Sequence, residues 1–155
     1  MPAMPNTLDP VDRHLVRLLS QDARTSNAAL AAAVGIAPST CLARVRGLRE
    51  RGIIRGYHAD IDPAALGRPL QALIAVRLAN HARDQVAQFR TRAPRLPGVI
   101  AVYHVTGPTD YLLHVTVADA GALRDFVTDA LLAEPYVAHA ETSLIFEYQR
   151  GTPPL

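Results

Sequence analysis

The hydrophobic residues of the first third of the chain recur at helical spacing and predict three short helices. The first helix begins at Pro10, behind an N-cap at Asp9, and runs to about Gln21, with an apolar face formed by Val11, Leu15, Leu18 and Leu19. Thr25 or Ser26 can cap the second helix, and its inward residues are predicted to be Leu30, Ala33 and Val34. Three helices in so short a stretch predict a compact helical bundle.

The third helix is predicted to open at Pro38, directly after a glycine turn at Gly35. Glycine reaches positive φ without a Cβ clash, and proline suits a first helical turn because its missing N–H would be unpaired anyway. One apolar stripe comprises Cys41, Leu42, Val45 and Leu48, and Arg44 and Arg46 flank it. This pattern predicts a helix-turn-helix whose second helix enters a DNA major groove, and an ordinary helical hairpin is the alternative.

The rest of the chain alternates strand and helix patterns. Alternating apolar positions predict strands over residues 70–78, 99–106, 111–117 and 137–148. Helices are predicted over residues 84–95 and 120–134, with inward faces formed by Val86, Phe89, Ala93, Leu123, Phe126, Val127 and Leu131. The order βαββαβ predicts a ferredoxin-like unit, with two helices on one face of a four-stranded antiparallel sheet, and an α+β fold class overall. Between the halves, Ile53 and Ile54 are expected to begin a connecting strand.

Both faces of the predicted sheet are largely apolar. In the strand over 99–106, one face carries Val99, Ala101, Tyr103 and Val105, and the other carries Ile100, Val102, His104 and Thr106. Helices cover only one face of such a unit, and an uncovered apolar face usually meets another protein. A second copy of the sheet would cover it symmetrically, so the pattern predicts a homodimer.

The composition favours a folded protein without a disulfide, a metal site or a membrane span. The chain has 155 residues, 49% of them apolar, which favours a folded protein. Its one cysteine, Cys41, excludes an internal disulfide, and His104 and His114 have no accompanying acid or thiol cluster, so neither a metal nor a cofactor is expected. Without a long apolar run or a signal-peptide pattern at the start, a cytoplasmic protein with no membrane partner is expected.

Arginine is concentrated in the predicted helix-turn-helix. Residues 1–60 carry eight arginines against five acidic residues, whereas residues 61–155 carry eight against nine. Five of the first eight fall between Ala37 and Gly56, beside the single acid Glu50. This local positive charge is typical of a phosphate-binding surface.

Four segments in order carry a resemblance that covers residues 7–150. LDPVDRHLVRLLSQDAR (8–24), LAAAVGIAPSTCLARVRGLRERGII (30–54), GYHADIDPAALG (56–67) and TGPTDYLLHV (106–115) resemble the Lrp/AsnC family of prokaryotic transcription regulators. The resemblance implies a winged-helix-like helix-turn-helix domain over 7–54, a hinge strand and linker over 55–69, and a ferredoxin-like effector and oligomerisation domain over 70–150. It also implies homodimers that assemble into tetramers or octamers, with amino-acid effectors bound between subunits.

The predicted DNA contacts divide between bases and phosphates. Base reading is assigned to Ser39, Thr40 and Ala43, with Arg44 as the candidate for a bidentate pair with guanine. Phosphate contacts are assigned to Arg46, Arg49, Arg51 and Arg55, although the stem of Arg49 can equally lie along the edge of the core. Ala37 stands where the family usually has a capping serine, a loss of about 0.5–2 kcal/mol that Ser39 can partly offset.

The candidate effector site is the turn Gly107-Pro108-Thr109-Asp110, onto which the family's Gly-x-x-Asp turn falls. A zwitterion needs an anion for its ammonium group and donors for its carboxylate, which Asp110 and the backbone of a Gly-Pro turn offer. Tyr111, Thr142 and Ser143 complete the candidate set. The alternative is that Asp110 bonds only backbone N–H groups and holds the turn.

The sequence therefore predicts a sequence-specific DNA-binding regulator whose DNA binding or assembly responds to a small metabolite. A catalytic role has little support, since there is no nucleophile with a base motif, no phosphate loop and no cofactor fingerprint. Two alternatives remain: an architectural DNA-binding protein of low sequence specificity, and an enzyme-associated metabolite sensor.

Overall fold

The computed structural model of the chain describes residues 8–79, 83–149 and 151. The chain divides into two compact units, and each is described by itself. The N-terminal unit extends from residue 8 to residue 60, and the C-terminal unit comprises Ile61–Gln149. The boundary residues 7 and 150 of the expected domains lie outside the described part of the chain.

The N-terminal unit contains the three predicted helices: α1 (Pro10–Gln21), α2 (Asn27–Val34) and α3 (Pro38–Glu50). The Asp9 carboxylate caps α1 by accepting the Asp12 N–H at 2.7 Å, and the Ser26 hydroxyl caps α2 by accepting the Ala29 N–H at 3.2 Å. Gly35 ends α2 with φ 71°, as the glycine turn predicts. The buried core of this unit consists of Leu15, Leu19, Leu30, Ala31, Cys41 and Leu48.

Two residues that were predicted to face the core, Ala33 and Leu42, are exposed. In α2 the buried alanine is Ala31, at 1% exposure, and Ala33 is exposed. In α3 Leu42 is 53% exposed, because the core lies against the side of the helix that carries Cys41 and Leu48. The sequence period identifies the apolar stripe of a helix, but the packing of the neighbouring helices determines which residues of that stripe are buried.

The predicted connecting strand does not form. The N–H groups of Ile53 and Ile54 both donate to the Leu48 carbonyl, at 3.0 and 3.2 Å. These two residues therefore close the end of α3, after a left-handed turn at Gly52 (φ 72°), and pack against the core. Both N–H groups therefore donate within the N-terminal unit, and its described residues, 8–60, contain no strand.

The C-terminal unit has the predicted βαββαβ order. A 3-10 turn (Ala64–Leu66) precedes β1 (Leu70–Leu78), and helix α4 (Arg83–Arg92) continues as a 3-10 turn over Ala93–Arg95. Strands β2 (Val99–His104) and β3 (Tyr111–Val117) form a hairpin. Helix α5 (Ala120–Asp125) follows and continues as a π-helical segment over Phe126–Leu132. The last element is β4 (Val137–Leu144). All pairs are antiparallel in the order β2-β3-β1-β4, which confirms the ferredoxin-like prediction.

The helices cover one face of this sheet and form the main core with it. Phe89, Ala93, Leu123 and Leu131 are buried as predicted, and Val86, Phe126 and Val127 pack against the same cluster. From β1, Ala72, Ile74 and Val76 are fully buried against them. We call the opposite face of the sheet the open face; among its residues are Gln71, Leu73, Ala75, Tyr103, Leu112 and His114.

A bulge changes the predicted alternation in β2. Val99 pairs with Val115, but Ala101 pairs with His114, so Ile100 is the extra residue between them. Val99 therefore lies on the helix-covered face, whereas Ala101 and Tyr103 lie on the open face, and the prediction of one common face was wrong. The bulge exposes 49% of Ile100.

Two strands are shorter than predicted. β2 ends at His104 because the pairing with β3 is incomplete at the next position: the Val105 N–H donates to the Asp110 carbonyl at 3.0 Å, but the Asp110 N–H donates to Val76 of β1. β4 ends at Leu144 because β1, its only neighbour in the sheet, begins at Leu70 and has almost no residues left to pair.

Candidate DNA-binding surface and effector site

α2 and α3 have the geometry of a helix-turn-helix. The chain bends by 101° between them, within the range expected of the motif. The Asn27 side-chain amide donates to the Pro38 carbonyl at 2.8 Å and ties the start of α2 to the start of α3. Ala37 makes no side-chain cap bond, so its side chain accepts none of the first N–H groups of α3.

One side of α3 is exposed and carries most of the predicted DNA contacts. We call this side the outward face; it comprises Ser39, Thr40, Leu42, Ala43, Arg46, Arg49 and Glu50. The three short side chains predicted to read bases, Ser39, Thr40 and Ala43, lie at its N-terminal half. Sequence reasoning missed Leu42, since it had assigned that leucine to the core.

Arg44 and Arg51 are engaged by carboxylates of α1 and its cap. Nη1 of Arg44 lies 2.5 Å from Asp9 Oδ2 and 2.9 Å from Asp12 Oδ1, and Nη2 of Arg51 lies 2.7 Å from Asp12 Oδ2. Hydrogen bonds from the Asp12 N–H and from Arg44 hold the pKa of Asp9 below its ordinary value, and the two carboxylates raise the pKa of Arg44. Both guanidinium groups are therefore engaged within the N-terminal unit, whereas the sequence predicts that Arg44 pairs with guanine and Arg51 contacts phosphate.

The remaining three arginines surround an open depression beyond the C-terminal half of α3. Arg46, Arg49 and Arg55, with Glu50 and Ile54, line a volume of about 450 Å³. The Arg49 guanidinium carbon lies 6.0 Å from the centroid of the Tyr57 ring, a cation–π contact at the surface. Arg49 is exposed, which favours the phosphate role over a stem packed on the core. Three cations around one hollow suit an anionic oxygen group.

The β2–β3 turn is fastened to the end of β1 through Asp110. The Asp110 N–H donates to the Val76 carbonyl at 3.0 Å, and the Asp110 carboxylate accepts the Leu78 N–H at 2.8 Å. Gly107 has φ 117°, a conformation that side chains rarely adopt. The carboxylate therefore has a structural role, as the alternative interpretation of this turn expects.

The other candidate effector residues do not gather at this turn within one chain. Thr142 and Ser143 pair with Ile74 and Leu73 of β1, point to opposite faces, and are separated from β3 by the whole of β1. Tyr111 is 1% exposed, because its ring packs against Phe89 and His104 with centroids 4.7 Å away in each case. Burial raises the pKa of Tyr111, and its ring is not accessible to an effector.

His114 forms a polar pair that sequence reasoning did not find. Its Nε2 lies 2.8 Å from Gln71 Oε1, and its ring lies 5.6 Å from that of Tyr148. Burial lowers the pKa of His114. His104 stacks on Tyr111 on the helix-covered face, so the two histidines that flank the hairpin point to opposite faces of the sheet.

Two family models together match most of the chain. The AsnC-type helix-turn-helix domain matches residues 8–49, and the Lrp/AsnC ligand-binding domain matches residues 71–153. The chain belongs to the Lrp/AsnC family. It is a DNA-binding transcriptional regulator with a domain for a small-molecule effector, and it is not an enzyme.

Individual Lrp/AsnC relatives agree over nearly the full length. The transcriptional regulator AldR of Mycolicibacterium smegmatis is 49% identical over 96% of this chain and 86% of its own. The leucine-responsive regulatory protein of Escherichia coli K12 is 36% identical over 90% of this chain and 85% of its own. The crystal structure of a Neisseria meningitidis regulator in complex with L-Met superposes with a TM-score of 0.87 at 34% identity, covering 96% of both chains.

The helices of this Lrp/AsnC chain are short. Within the described residues, no single helix is long and apolar enough to cross a membrane. Cys41, predicted to lie in the apolar stripe of α3, is fully buried in the core of the N-terminal unit, and burial raises the pKa of its thiol.

Proposed function

We propose that this regulator reads DNA through the outward face of α3. Ser39, Thr40 and Ala43 lie against base edges, and Arg46, Arg49 and Arg55 contact phosphates. The observation that carries this proposal is the separation of the arginines into two sets, one paired with carboxylates and one exposed around an open hollow. Short side chains at the N-terminal half of α3 allow close approach to a groove, and base contacts there specify sequence.

Selection of duplexes from a randomised library tests this assignment. The unmodified chain should enrich one sequence, and Ser39→Ala or Thr40→Ala should relax the preference at particular base steps. Arg46→Ala should instead weaken binding to every duplex by a similar factor. Equal binding of enriched and random duplexes by the unmodified chain would favour an architectural protein of low specificity.

The proposed effector is an amino acid bound beside the Gly107–Asp110 turn. The L-Met complex of the Neisseria relative supports the ligand class, and the sharp turn at Gly107 leaves room for a ligand near the backbone. Since Thr142 and Ser143 lie far from this turn in the same sheet, a second copy of the chain would have to supply them. Isothermal titration with each standard amino acid tests the proposal, and no heat from any of them would leave the turn purely structural.

The proposed assembly is a homodimer through the open face, with tetramers or octamers built from it. On this face, Leu73 of the central strand β1 and Tyr103 of the edge strand β2 expose 36% and 52% of their surfaces, and Leu112 lies on β3, the strand between them. Apolar area of this kind is buried when two sheets pack face to face. Light scattering tests the dimer: Leu73→Arg should give monomers, whereas Leu66→Arg, at an exposed leucine outside the sheet, should not.

The domain boundaries and location follow as part of the same proposal. A DNA-binding domain over 7–54, a linker over 55–69 and an effector domain over 70–150 are consistent with the two family matches. We place the protein in the cytoplasm, because its partner is double-stranded DNA.

A further inference from the structure

The Asp12 carboxylate joins α1 to two separate turns of α3. Its Oδ1 lies 2.9 Å from Arg44 Nη1 and its Oδ2 lies 2.7 Å from Arg51 Nη2. The two arginines are almost two full helical turns apart, so they lie on the same side of α3. One carboxylate that binds both therefore fixes how α3 is rotated and where it lies along its axis.

Asp12 is also the most buried charged residue of this cluster. Only 6% of its surface is exposed. Its backbone N–H is held by Asp9, which pairs with Arg44 as well. Breaking one ion pair of a buried carboxylate costs free energy, because the charge is left without a partner. The Asp12 contacts therefore favour a single arrangement of α3 against α1.

We propose that Asp12 is a positioning residue for DNA recognition, one that increases discrimination between sequences. This inference rests on the proposed DNA-reading role of the outward face. Asp12 keeps the outward face of α3 at a fixed orientation, which matters because Ala37 supplies no cap bond at the start of that helix. It also holds Arg51 away from phosphates of random duplexes, and together with Asp9 it holds Arg44 in the same way.

The inference predicts an effect of Asp12→Asn that depends on the DNA sequence. Removing any acid from a DNA-binding unit lowers its repulsion of phosphate, which tightens binding to all duplexes alike. Releasing Arg51, while Arg44 stays paired with Asp9, adds about one phosphate contact on random DNA, and loss of the fixed orientation removes base contacts on the preferred duplex. Asp60→Asn removes the same charge at an exposed site of the same unit and is the matched control.

The experiment uses the full chain and two probes, the duplex that the unmodified protein enriches from a randomised library and the random pool itself. Asp12→Asn should reduce the ratio of the two affinities by about tenfold, the equivalent of losing one good base contact. On the random pool, the slope of log K against log salt should become steeper by about one. Asp60→Asn should change neither quantity. The slope reports phosphate contacts of the folded protein, so a loss of stability alone would not move it.

Three results bear on the inference. A folded Asp12→Asn protein with the ratio and slope of the unmodified chain would overturn it. Arg51→Met, which leaves the pair between Asp12 and Arg44, provides a second variant: it should lower the ratio without a steeper slope, and an unchanged ratio would contradict the inference. An unmodified protein that binds both probes equally would contradict the proposed function, and with it this inference.

Discussion

Leu42 and Leu48 lie on the same helix, but Leu48 is completely buried and Leu42 exposes 53% of its surface. The same substitution at the two positions separates core packing from the outward face. Leu48→Ala should lower the free energy of unfolding by about 2–5 kcal/mol, because it leaves a cavity between the helices. Leu42→Ala should change it by less than about 0.5 kcal/mol. Urea denaturation of both variants measures this, and equal losses would show that Leu42 packs inside the unit.

Asp110 is expected to support both the fold and the effector site. Asp110→Ala removes the acceptor of the Leu78 N–H and should reduce the free energy of unfolding by about 1–3 kcal/mol. It should also abolish the heat of amino-acid binding. The matched control is Asp129→Ala, at an exposed position in the same unit, which should affect neither measurement. Amino-acid binding that survives in Asp110→Ala would leave the carboxylate with a structural role alone.

His114 should make stability depend on pH. Burial lowers its pKa from the ordinary value of 6.5, so just below 6.5 the unfolded chain binds a proton that the folded chain does not. Its contribution to stability is therefore complete above 6.5 and decreases as the pH falls toward the lowered pKa. Denaturation curves at several pH values should show a weaker pH dependence for His114→Gln. The control His14→Gln, at an exposed position, should parallel the unmodified chain.

The sequence predicted the sheet well where strands have neighbours on both sides. The bounds of β1 and β3 agree with the expected 70–78 and 111–117, because the alternation of these central strands is imposed by the core on one face. The edge strands β2 and β4 were less well predicted. The bulge at Ile100 and the early end at Leu144 depend on pairing with other strands, which a single segment does not encode.

The helix-turn-helix was predictable because its signals are local. Gly35, Pro38 and the buried Cys41 follow from conformational preference and periodicity within one short segment. Asp12 pairs with Arg44 and Arg51, which lie more than thirty positions away along the chain, so no local sequence pattern predicts these ion pairs. The sequence therefore predicted where the arginines lie along the chain, but not which of them pair with carboxylates of the same unit.

If the exposed arginines of α3 contact the DNA backbone, Arg46→Ala should change the salt dependence of binding. The control is Arg124→Ala, at a side chain that is 77% exposed in the C-terminal unit. We expect Arg46→Ala to weaken binding to all duplexes and to reduce the slope of log K against log salt by about one, with no change for Arg124→Ala. A folded Arg46→Ala protein with unchanged affinity and slope would show that this arginine does not contact the DNA backbone.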